Sequence, residues 1–287
     1  MSFLSMVRDE ILDNSNNNCC KKAEIYASLI GAVKYSDDSL RIISENAAIS
    51  QSIVNLFKKV YKTEIILSVS NSGNKYTAKI TKDVLTKLNI DYYNELDSII
   101  QKDCCKKAFI KTLFLVCGNI SDPEKEYRIE FILRDVDSFD CVNSILNSLG
   151  YAPKKVVKNN KYVLYFKDCT SLEEILTYLS ATDCSLKLME IEVEKTVKNY
   201  TNRKANFEQA NFCKTYNISQ KQINAIKLIK QKGMYSQLNE NLKFVALLRE
   251  QNEDSSLNDL SEISGISRSS INKRLNKLIE IAESIED

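Results

Sequence analysis

The sequence predicts an α+β fold in which a duplicated αββαββα unit is followed by an all-helical region. Three observations support this prediction. The five-residue word CCKKA at residues 19–23 recurs at residues 104–108, an offset of 85 residues, and a word this unusual indicates duplication. Alternating and helical apolar patterns follow both copies in the same order. Beyond residue 215 only helical periodicity remains.

Each copy, at about residues 15–90 and 100–182, opens with a helix that is apolar around most of its circumference, at residues 23–33 and 108–117. Such a helix is buried on more than one side, so the two are expected to pack together about a pseudo-twofold axis. Alternating strands and amphipathic helices complete the copies. They are predicted at residues 40–44, 45–61, 64–69, 75–81 and 83–88 of the first copy, and at residues 127–133, 137–149, 154–158, 161–167 and 171–179 of the second.

The composition excludes several kinds of chemistry. The 287 residues contain no histidine, which removes Ser-His and Cys-His catalysis and all zinc sites that need an imidazole. The six glycines are far apart in the sequence, so no glycine-rich loop can cradle a nucleotide phosphate. What remains is carboxylate chemistry, cysteine chemistry or binding without catalysis. We expect no cofactor and no small-molecule substrate.

The cellular setting is predicted from hydrophobicity and charge. The chain is 44% hydrophobic and 27% charged, as in soluble globular proteins. No apolar run approaches the ~20 residues that span a bilayer, and the amino terminus, MSFLSMVRDEIL, reaches charged residues too early for a secretory signal. We expect a cytoplasmic, nucleoid-associated protein without a membrane partner, whose nine cysteines are reduced thiols.

Residues 1–195 are predicted to form the duplicated domain, and residues 196–215 a basic, asparagine-rich connector. The connector holds four basic residues and one acid, whereas the 195 residues before it carry 26 basic and 27 acidic ones. One interpretation is a solvated linker. The other is a segment that contacts phosphates or docks on a partner, because Lys, Arg and Asn bond phosphate oxygens. Its candidate contacts are Lys198, Asn202, Arg203, Lys204, Asn206, Asn211 and Lys214.

Residues 216–287 are predicted to form an all-helical domain that ends in a helix-turn-helix at about residues 255–287. Ser256 starts the first motif helix with a capping-box pattern, Gly265 supplies the turn, and Ser267 caps the second helix. Two short helices joined through a glycine, with the second longer and basic, are typical of DNA-binding proteins.

The second motif helix carries the candidate DNA contacts. From residue 266 to residue 278 it has four basic residues and no acid. The first residues of a recognition helix contact base edges, and basic residues farther along meet phosphates. An amphipathic helix with a solvated basic face is the alternative. The candidates for base contact are Ser267, Arg268, Ser269, Ser270, Asn272 and Lys273, and those for phosphate contact are Arg274 and Lys277.

The duplicated region, over roughly residues 15–195, resembles the LAGLIDADG homing endonuclease fold. That resemblance implies an acidic metal ligand at the end of each leading helix, where this chain has Ala32 and Cys117. Neither side chain can hold Mg²⁺, which prefers oxygen ligands. A metal-dependent nuclease that uses loop carboxylates stays open as a disfavoured alternative. The nearest carboxylates are Asp37, Asp38 and Asp122.

A degenerate repeat of this kind, a basic connector and a helix-turn-helix together resemble the WhiA family of bacterial regulators over the whole chain. The resemblance is carried by MSFLSMVRDEI, by the paired CCKKA words, and by SENAAI (44–49), NISDPEKEYRIEF (119–131) and TNRKANFEQANFCKT (201–215). It implies a non-catalytic protein that binds double-stranded DNA, acts in cell division and chromosome segregation, and regulates transcription, with the transcription machinery as a further partner. A protein-interaction adaptor that does not bind DNA is a third alternative.

Two adjacent cysteine pairs, Cys19-Cys20 and Cys104-Cys105, could supply four thiolates to Zn²⁺ if the pseudo-twofold axis brought them together. Consecutive side chains on a helix diverge by about 100°, however, so adjacent cysteines are poor joint ligands. Packing of small apolar thiols at the two helix starts is therefore the favoured interpretation, and no metal site is expected.

Overall fold

The computed structural model describes residues 1–14, 16–36, 39–70, 73, 75–91 and 93–286. The chain divides into two compact units, Met1–Lys195 and Thr196–Asp287. Among the described residues, no helix combines the length and the apolar character that crossing a bilayer requires.

The first unit contains the predicted duplication, which is confirmed. Helix α1 (Phe3–Asp13) precedes the first copy, which consists of α2 (Lys21–Gly31), β1 (Val33–Ser36), β2 (Ser39–Ser44), α3 (Ala47–Tyr61), β3 (Ile66–Val69), β4 (Tyr76–Thr81) and α4 (Lys82–Lys87). After the short helix α5 (Leu96–Ile99), the second copy consists of α6 (Asp103–Cys117), β5 (Gly118–Ile120), β6 (Ile129–Leu133), α7 (Val136–Ser148), β7 (Lys154–Lys158), β8 (Lys161–Phe166) and α8 (Cys169–Tyr178).

Each copy builds one antiparallel four-stranded sheet, and the strand order is the same in both. The orders are β1-β2-β4-β3 and β5-β6-β8-β7. The strands that pair in the middle of each sheet have matching registers, with Ile42 opposite Ala78 in the first and Phe131 opposite Leu164 in the second. All four of these side chains are buried. One face of each sheet therefore belongs to the core, as the alternating pattern predicts.

The edge strands β1 and β5 are not among the strand positions predicted from the sequence. The sequence predicts that the leading helix of the first copy continues to residue 33, but the helix ends at Gly31, and Val33 already pairs with Arg41. The strand β5 has only three residues, of which Gly118 and Ile120 are buried. Strands this short carry no alternating pattern of their own, so the sequence does not separate them from the preceding helices.

The leading helices α2 and α6 pack against each other at the centre of the first unit. Every residue of α2 from Ala23 to Gly31 is buried, and so is the run from Ala108 to Leu115 in α6. A Cβ placed on Gly31 would lie 3.0 Å from Val116 Cγ1 and 3.3 Å from Leu113 Cδ1. The absence of a side chain at Gly31 therefore lets the end of α2 approach α6 closely.

The connector predicted at residues 196–215 is helical. It lies within the 50-residue helix α9 (Thr182–Gln231), whereas the sequence shows helical periodicity only beyond residue 215. The connector residues are exposed except Thr215, and a helix that buries no face shows no apolar stripe. The helix contains neither Gly nor Pro, so nothing in its sequence breaks it. A turn at Gly233, whose φ is 72°, follows its last residue.

The second unit is helical throughout its described residues. After α9 come a short 3₁₀ turn (Met234–Gln237) and the helices α10 (Glu240–Gln251), α11 (Leu257–Ser264) and α12 (Arg268–Glu286). The predicted capping box is present, since Ser256 Oγ accepts from the N–H of Asp259 at 3.2 Å and the Asp259 carboxylate accepts from the N–H of Ser256 at 2.8 Å. Gly265 joins the last two helices with a φ of 68°.

The close contact at Gly31 predicts a stability defect. We expect Gly31→Val to lower the free energy of unfolding by about 1–3 kcal/mol, because added methyl groups must displace side chains of a packed core. Urea denaturation of the full chain measures the loss. Adding Val116→Ala should restore part of it, since that change removes the atoms nearest the new side chain. A double variant that is less stable by the sum of both single losses would contradict this packing.

Candidate nucleic-acid interface

Helix α12 separates an apolar face from a basic one. Ile271, Leu275 and Leu278 are buried against the core of the second unit. The predicted cap is present, since Ser267 Oγ accepts from the N–H of Ser270 at 3.4 Å. The helix is thereby fixed by its apolar stripe, and its other face is left to polar side chains.

The eight candidate DNA contacts of α12 and its cap all have accessible side chains. Within the described part of the chain, no salt bridge joins Arg268, Lys273 or Arg274 to a carboxylate. Lys277 pairs with Glu280 at 2.9 Å, and both side chains are more than 60% exposed. A surface pair of this kind is weak, so it leaves Lys277 able to change partners. The exposed candidates are Ser267, Arg268, Ser269, Lys273 and Lys277, and the half-buried ones are Ser270, Asn272 and Arg274.

A pocket in the second unit brings the end of the connector to the start of α12. Asn211 and Lys214 of α9 line it together with Arg268 of α12, and Asn258 of α11 adds an amide. The sequence places these residues in two separate candidate groups, and the structure joins them in one. Two cationic side chains with neighbouring amides form a surface suited to an anion such as a phosphate.

The other connector candidates lie along α9. Arg203, Phe207, Asn211 and Lys214 follow one another at spacings of four, four and three residues, so they share one face of the helix that leads to the pocket. The remaining candidates are exposed elsewhere along the helix, and they are Lys198, Asn202, Lys204 and Asn206.

Arg249 is a buried cation beneath the same pocket, and no sequence pattern singles it out. It is 2% exposed, and its Nη1 donates to Ser255 O at 2.6 Å, to Asn252 O at 3.3 Å and to Ser219 Oγ at 3.4 Å. Burial lowers the pKa of its guanidinium. Arg249 thus ties the turn before α11 to α10 and α9, and it lines the pocket with positive charge.

The carboxyl ends of the leading helices carry arginines in place of metal-binding acids. Arg134 Nη1 donates to Leu29 O at 3.1 Å and to Ala32 O at 3.2 Å at the end of α2. Arg8 Nη2 donates to Gly118 O at 3.0 Å at the end of α6. Each guanidinium therefore meets backbone carbonyls at the carboxyl end of a leading helix, where the helix dipole is negative.

The residues at the predicted metal positions offer no oxygen ligand from their side chains. Ala32 is buried, and burial raises the pKa of the Cys117 thiol to about 12. Asp122 is exposed, accepts from the N–H of Glu124 at 3.1 Å and lies 3.9 Å from Lys125 Nζ. It belongs to none of the clusters of three or more possible metal ligands among the described residues. Asp37 and Asp38 lie outside the described residues.

Comparison with known proteins identifies the family. A family model for the WhiA C-terminal HTH domain matches residues 201–282, and one for the WhiA LAGLIDADG-like domain matches residues 106–198. The chain is 33% identical to a probable cell division protein WhiA of Clostridium acetobutylicum, covering 99% of this chain and 98% of that protein. A relative of the same name from Ruminiclostridium cellulolyticum is 31% identical over 99% of this chain and 98% of its own. The chain belongs to the WhiA family.

The fold agrees with a crystal structure from the WhiA family. Full-length WhiA from Thermotoga maritima is 24% identical and covers 99% of both chains, with a TM-score of 0.55. The resemblance stated from the sequence words is therefore confirmed, together with a LAGLIDADG-like first domain and a helix-turn-helix.

The cysteine pairs of this WhiA-family chain depart from the expected geometry. The Sγ atoms of Cys19, Cys20, Cys104 and Cys105 all lie within 4.8 Å of one another. The expectation that adjacent cysteines point apart assumed regular helix at both pairs. Cys19 and Cys20 instead lie in a 3₁₀ turn (Asn18–Cys20) that precedes α2.

The contacts of Arg249 predict that it stabilises the second unit. We expect Arg249→Leu to lower the free energy of unfolding of that unit by about 1–3 kcal/mol, because two backbone carbonyls and a hydroxyl lose their donor. Thermal denaturation followed by circular dichroism measures the change. Arg268→Leu is the matched control, since Arg268 is exposed and should alter stability little. Equal stability of both variants would show that the buried contacts contribute nothing.

Proposed function

We propose that this WhiA-family chain is a non-catalytic, double-stranded DNA-binding protein that regulates transcription and acts in cell division and chromosome segregation. The observation that carries the proposal is the accessible basic face of α12, together with the pocket that joins Arg268 to Lys214 and Asn211. The cell-division role rests on the names of the relatives, which are called probable cell division proteins.

Recognition of base edges is assigned to the first turns of α12. A recognition helix enters the major groove with its amino-terminal residues foremost. Arg268 pairs with the O6 and N7 acceptors of guanine, and Asn272 suits adenine. The serines and Lys273 complete this group. The assigned residues are Ser267, Arg268, Ser269, Ser270, Asn272 and Lys273.

Phosphate contacts are assigned to the later basic residues of α12 and to the connector. Arg274 and Lys277 lie about two and about three turns beyond the cap, where a recognition helix passes the backbone. In the connector, Arg203 and Lys214 share the helix face that leads to the pocket, and Lys214 lies beside Arg268 there. The same DNA strand that places a base at Arg268 would bring a phosphate to Lys214.

The absence of nuclease activity is proposed from the arginines at the helix ends. A hydrolytic Mg²⁺ would need carboxylate oxygens beside the carbonyls of Ala32 and Gly118. Guanidinium groups of Arg134 and Arg8 bind those carbonyls instead. The Asp135 carboxylate beside this site is paired with Arg134 Nε at 2.5 Å, so a guanidinium rather than a metal ion engages it.

Contact with the transcription machinery is proposed for the connector helix. It carries exposed aromatic side chains among its basic residues, with Tyr200 68% and Phe207 69% exposed. Aromatic residues are enriched at protein interfaces.

A nucleoid location is proposed because a protein that binds DNA continuously lies on the chromosome. A fluorescent fusion that follows the DNA stain in cells would support that location.

The DNA-binding proposal predicts different effects for two arginines. We expect Arg274→Ala to weaken binding about equally for all duplexes and to reduce the slope of log affinity against log salt by about one charge. Arg268→Ala should cost about 1–3 kcal/mol on a preferred duplex and relax its sequence preference. Fluorescence anisotropy with duplexes selected from a random pool, over a salt series, measures both quantities.

Lys227→Ala, an exposed lysine of α9 away from the pocket, is the control and should leave both quantities unchanged. Equal, small effects of both arginine variants would refute the assigned roles. No salt-dependent binding by the unaltered chain would favour the adaptor alternative, because no counterions would be released.

The non-catalytic proposal is tested on the same DNA. Supercoiled plasmid incubated with the protein and Mg²⁺ should stay intact at protein concentrations that saturate binding. Nicking that needs Mg²⁺ and disappears in Asp122→Asn would establish the nuclease alternative instead.

A further inference from the structure

Four thiols from the two copies meet at the amino-terminal ends of the leading helices. Cys19 and Cys20 belong to the 3₁₀ turn before α2, and Cys104 and Cys105 to the first turn of α6. Their contacts cross between the copies, since Cys20 Sγ donates to Cys104 O at 3.3 Å and Cys105 Sγ donates to Cys19 O at 3.6 Å. The two copies of the CCKKA segment, at residues 19–23 and 104–108, therefore lie next to each other in the structure.

The distances between the sulfur atoms suit a single metal ion. A tetrahedral zinc site with Zn–S bonds of about 2.3 Å separates neighbouring sulfurs by about 3.8 Å. Cys19 Sγ lies 3.8 Å from Cys20 Sγ and 3.8 Å from Cys104 Sγ, and the four sulfurs all lie within 4.8 Å of one another. The other sulfur pairs therefore exceed the tetrahedral separation by at most about 1 Å.

Two positive features beside the cluster would balance the charge of thiolates bound to a metal ion. The amino termini of α2 and α6 both point at the cluster, and neither receives a capping hydrogen bond from a described side chain. Helix amino termini stabilise thiolates, because their free N–H groups and the helix dipole are positive. Four lysines follow the pairs directly in the sequence and offset the charge of a tetrathiolate site further, and they are Lys21, Lys22, Lys106 and Lys107.

We propose that Cys19, Cys20, Cys104 and Cys105 form a tetrathiolate site for one Zn²⁺ that clamps the amino-terminal ends of the two leading helices. On binding, four Zn–S bonds replace four S–H bonds, the four protons pass to solvent, and no atom changes its oxidation state. Four sulfur ligands leave no open position on the ion, so the site is structural. Thiolates select soft ions such as Zn²⁺ over Mg²⁺ or Ca²⁺.

The test uses the full chain, purified under reducing conditions with Zn²⁺ supplied and then freed of loosely bound metal. Elemental analysis should give about one zinc per chain. Replacement by Co²⁺ should produce the strong visible absorption of tetrahedral cobalt together with sulfur-to-cobalt charge-transfer bands in the near ultraviolet. Removing the metal with a chelator should lower the melting temperature, because the ion binds the folded state only.

Variants locate the site without disturbing the core. Cys19 is exposed and Cys104 half-buried, so Cys19→Ser and Cys104→Ser should fold, which circular dichroism checks. Each should lose most of the zinc and the tetrathiolate cobalt spectrum. Cys213→Ser, at an exposed cysteine of α9, is the matched control and should keep both.

Three outcomes would overturn the proposal. The first is a reduced, folded chain that takes up less than about a tenth of an equivalent of Zn²⁺ or Co²⁺ from solution. The second is a cobalt spectrum in Cys19→Ser or Cys104→Ser identical to that of the unaltered chain. The third is a disulfide within this cluster in the purified chain, combined with no metal uptake once that disulfide has been reduced. This result would make the cluster a redox pair instead.

Discussion

The packing of α2 against α6 is the constraint on which the first unit depends. Two helices that are buried around most of their surface leave only their ends for other chemistry. Gly31 sets how closely they approach, because the nearest atoms of Val116 would already be in tight contact with a Cβ at this position. The sheets of both copies cover the remaining sides, which explains why their strand order and central register repeat. The duplication in the sequence is thus a consequence of building one symmetric core.

The helix dipole gives the two ends of this pair opposite roles. The amino termini are positive and gather thiols, whereas the carboxyl termini are negative and gather guanidinium groups. A metal ion of a nuclease would also be attracted to the carboxyl ends, but it would need acids where Ala32 and Cys117 stand. Arg134 and Arg8 satisfy the same carbonyls without those acids. The carboxyl ends thus keep their electrostatic preference for a cation, and two arginine side chains supply it.

Sequence patterns located most of the elements with a local signal and missed the exposed connector helix. The alternating strand predicted at residues 127–133 is present as β6, whose residues are alternately buried and half-buried, and the capping box at Ser256 is present as well, because each rests on a local rule. The helical connector gave no pattern, since its residues touch solvent almost all the way round. The closeness of the four cysteines was only a disfavoured alternative from the sequence, because Cys19 and Cys104 are 85 positions apart. The burial of Arg249 gave no local signal either, and its contact with Ser219 spans 30 positions. Only tertiary packing determines such contacts.

In the second unit, helix α12 is anchored by buried side chains, whereas the connector part of α9 is almost entirely exposed. Helix α12 is held by Ile271, Leu275 and Leu278, so its first turns have one defined position from which to contact bases. The connector helix has no such anchor over most of its length, and its excess charge lies on exposed side chains. Because phosphate contacts carry no sequence information, the proposed DNA binding would draw its affinity mainly from α9 and its discrimination mainly from α12. Lys214 of α9 and Arg268 of α12 line the same pocket. A substitution in either helix should therefore change the DNA contact proposed for the other.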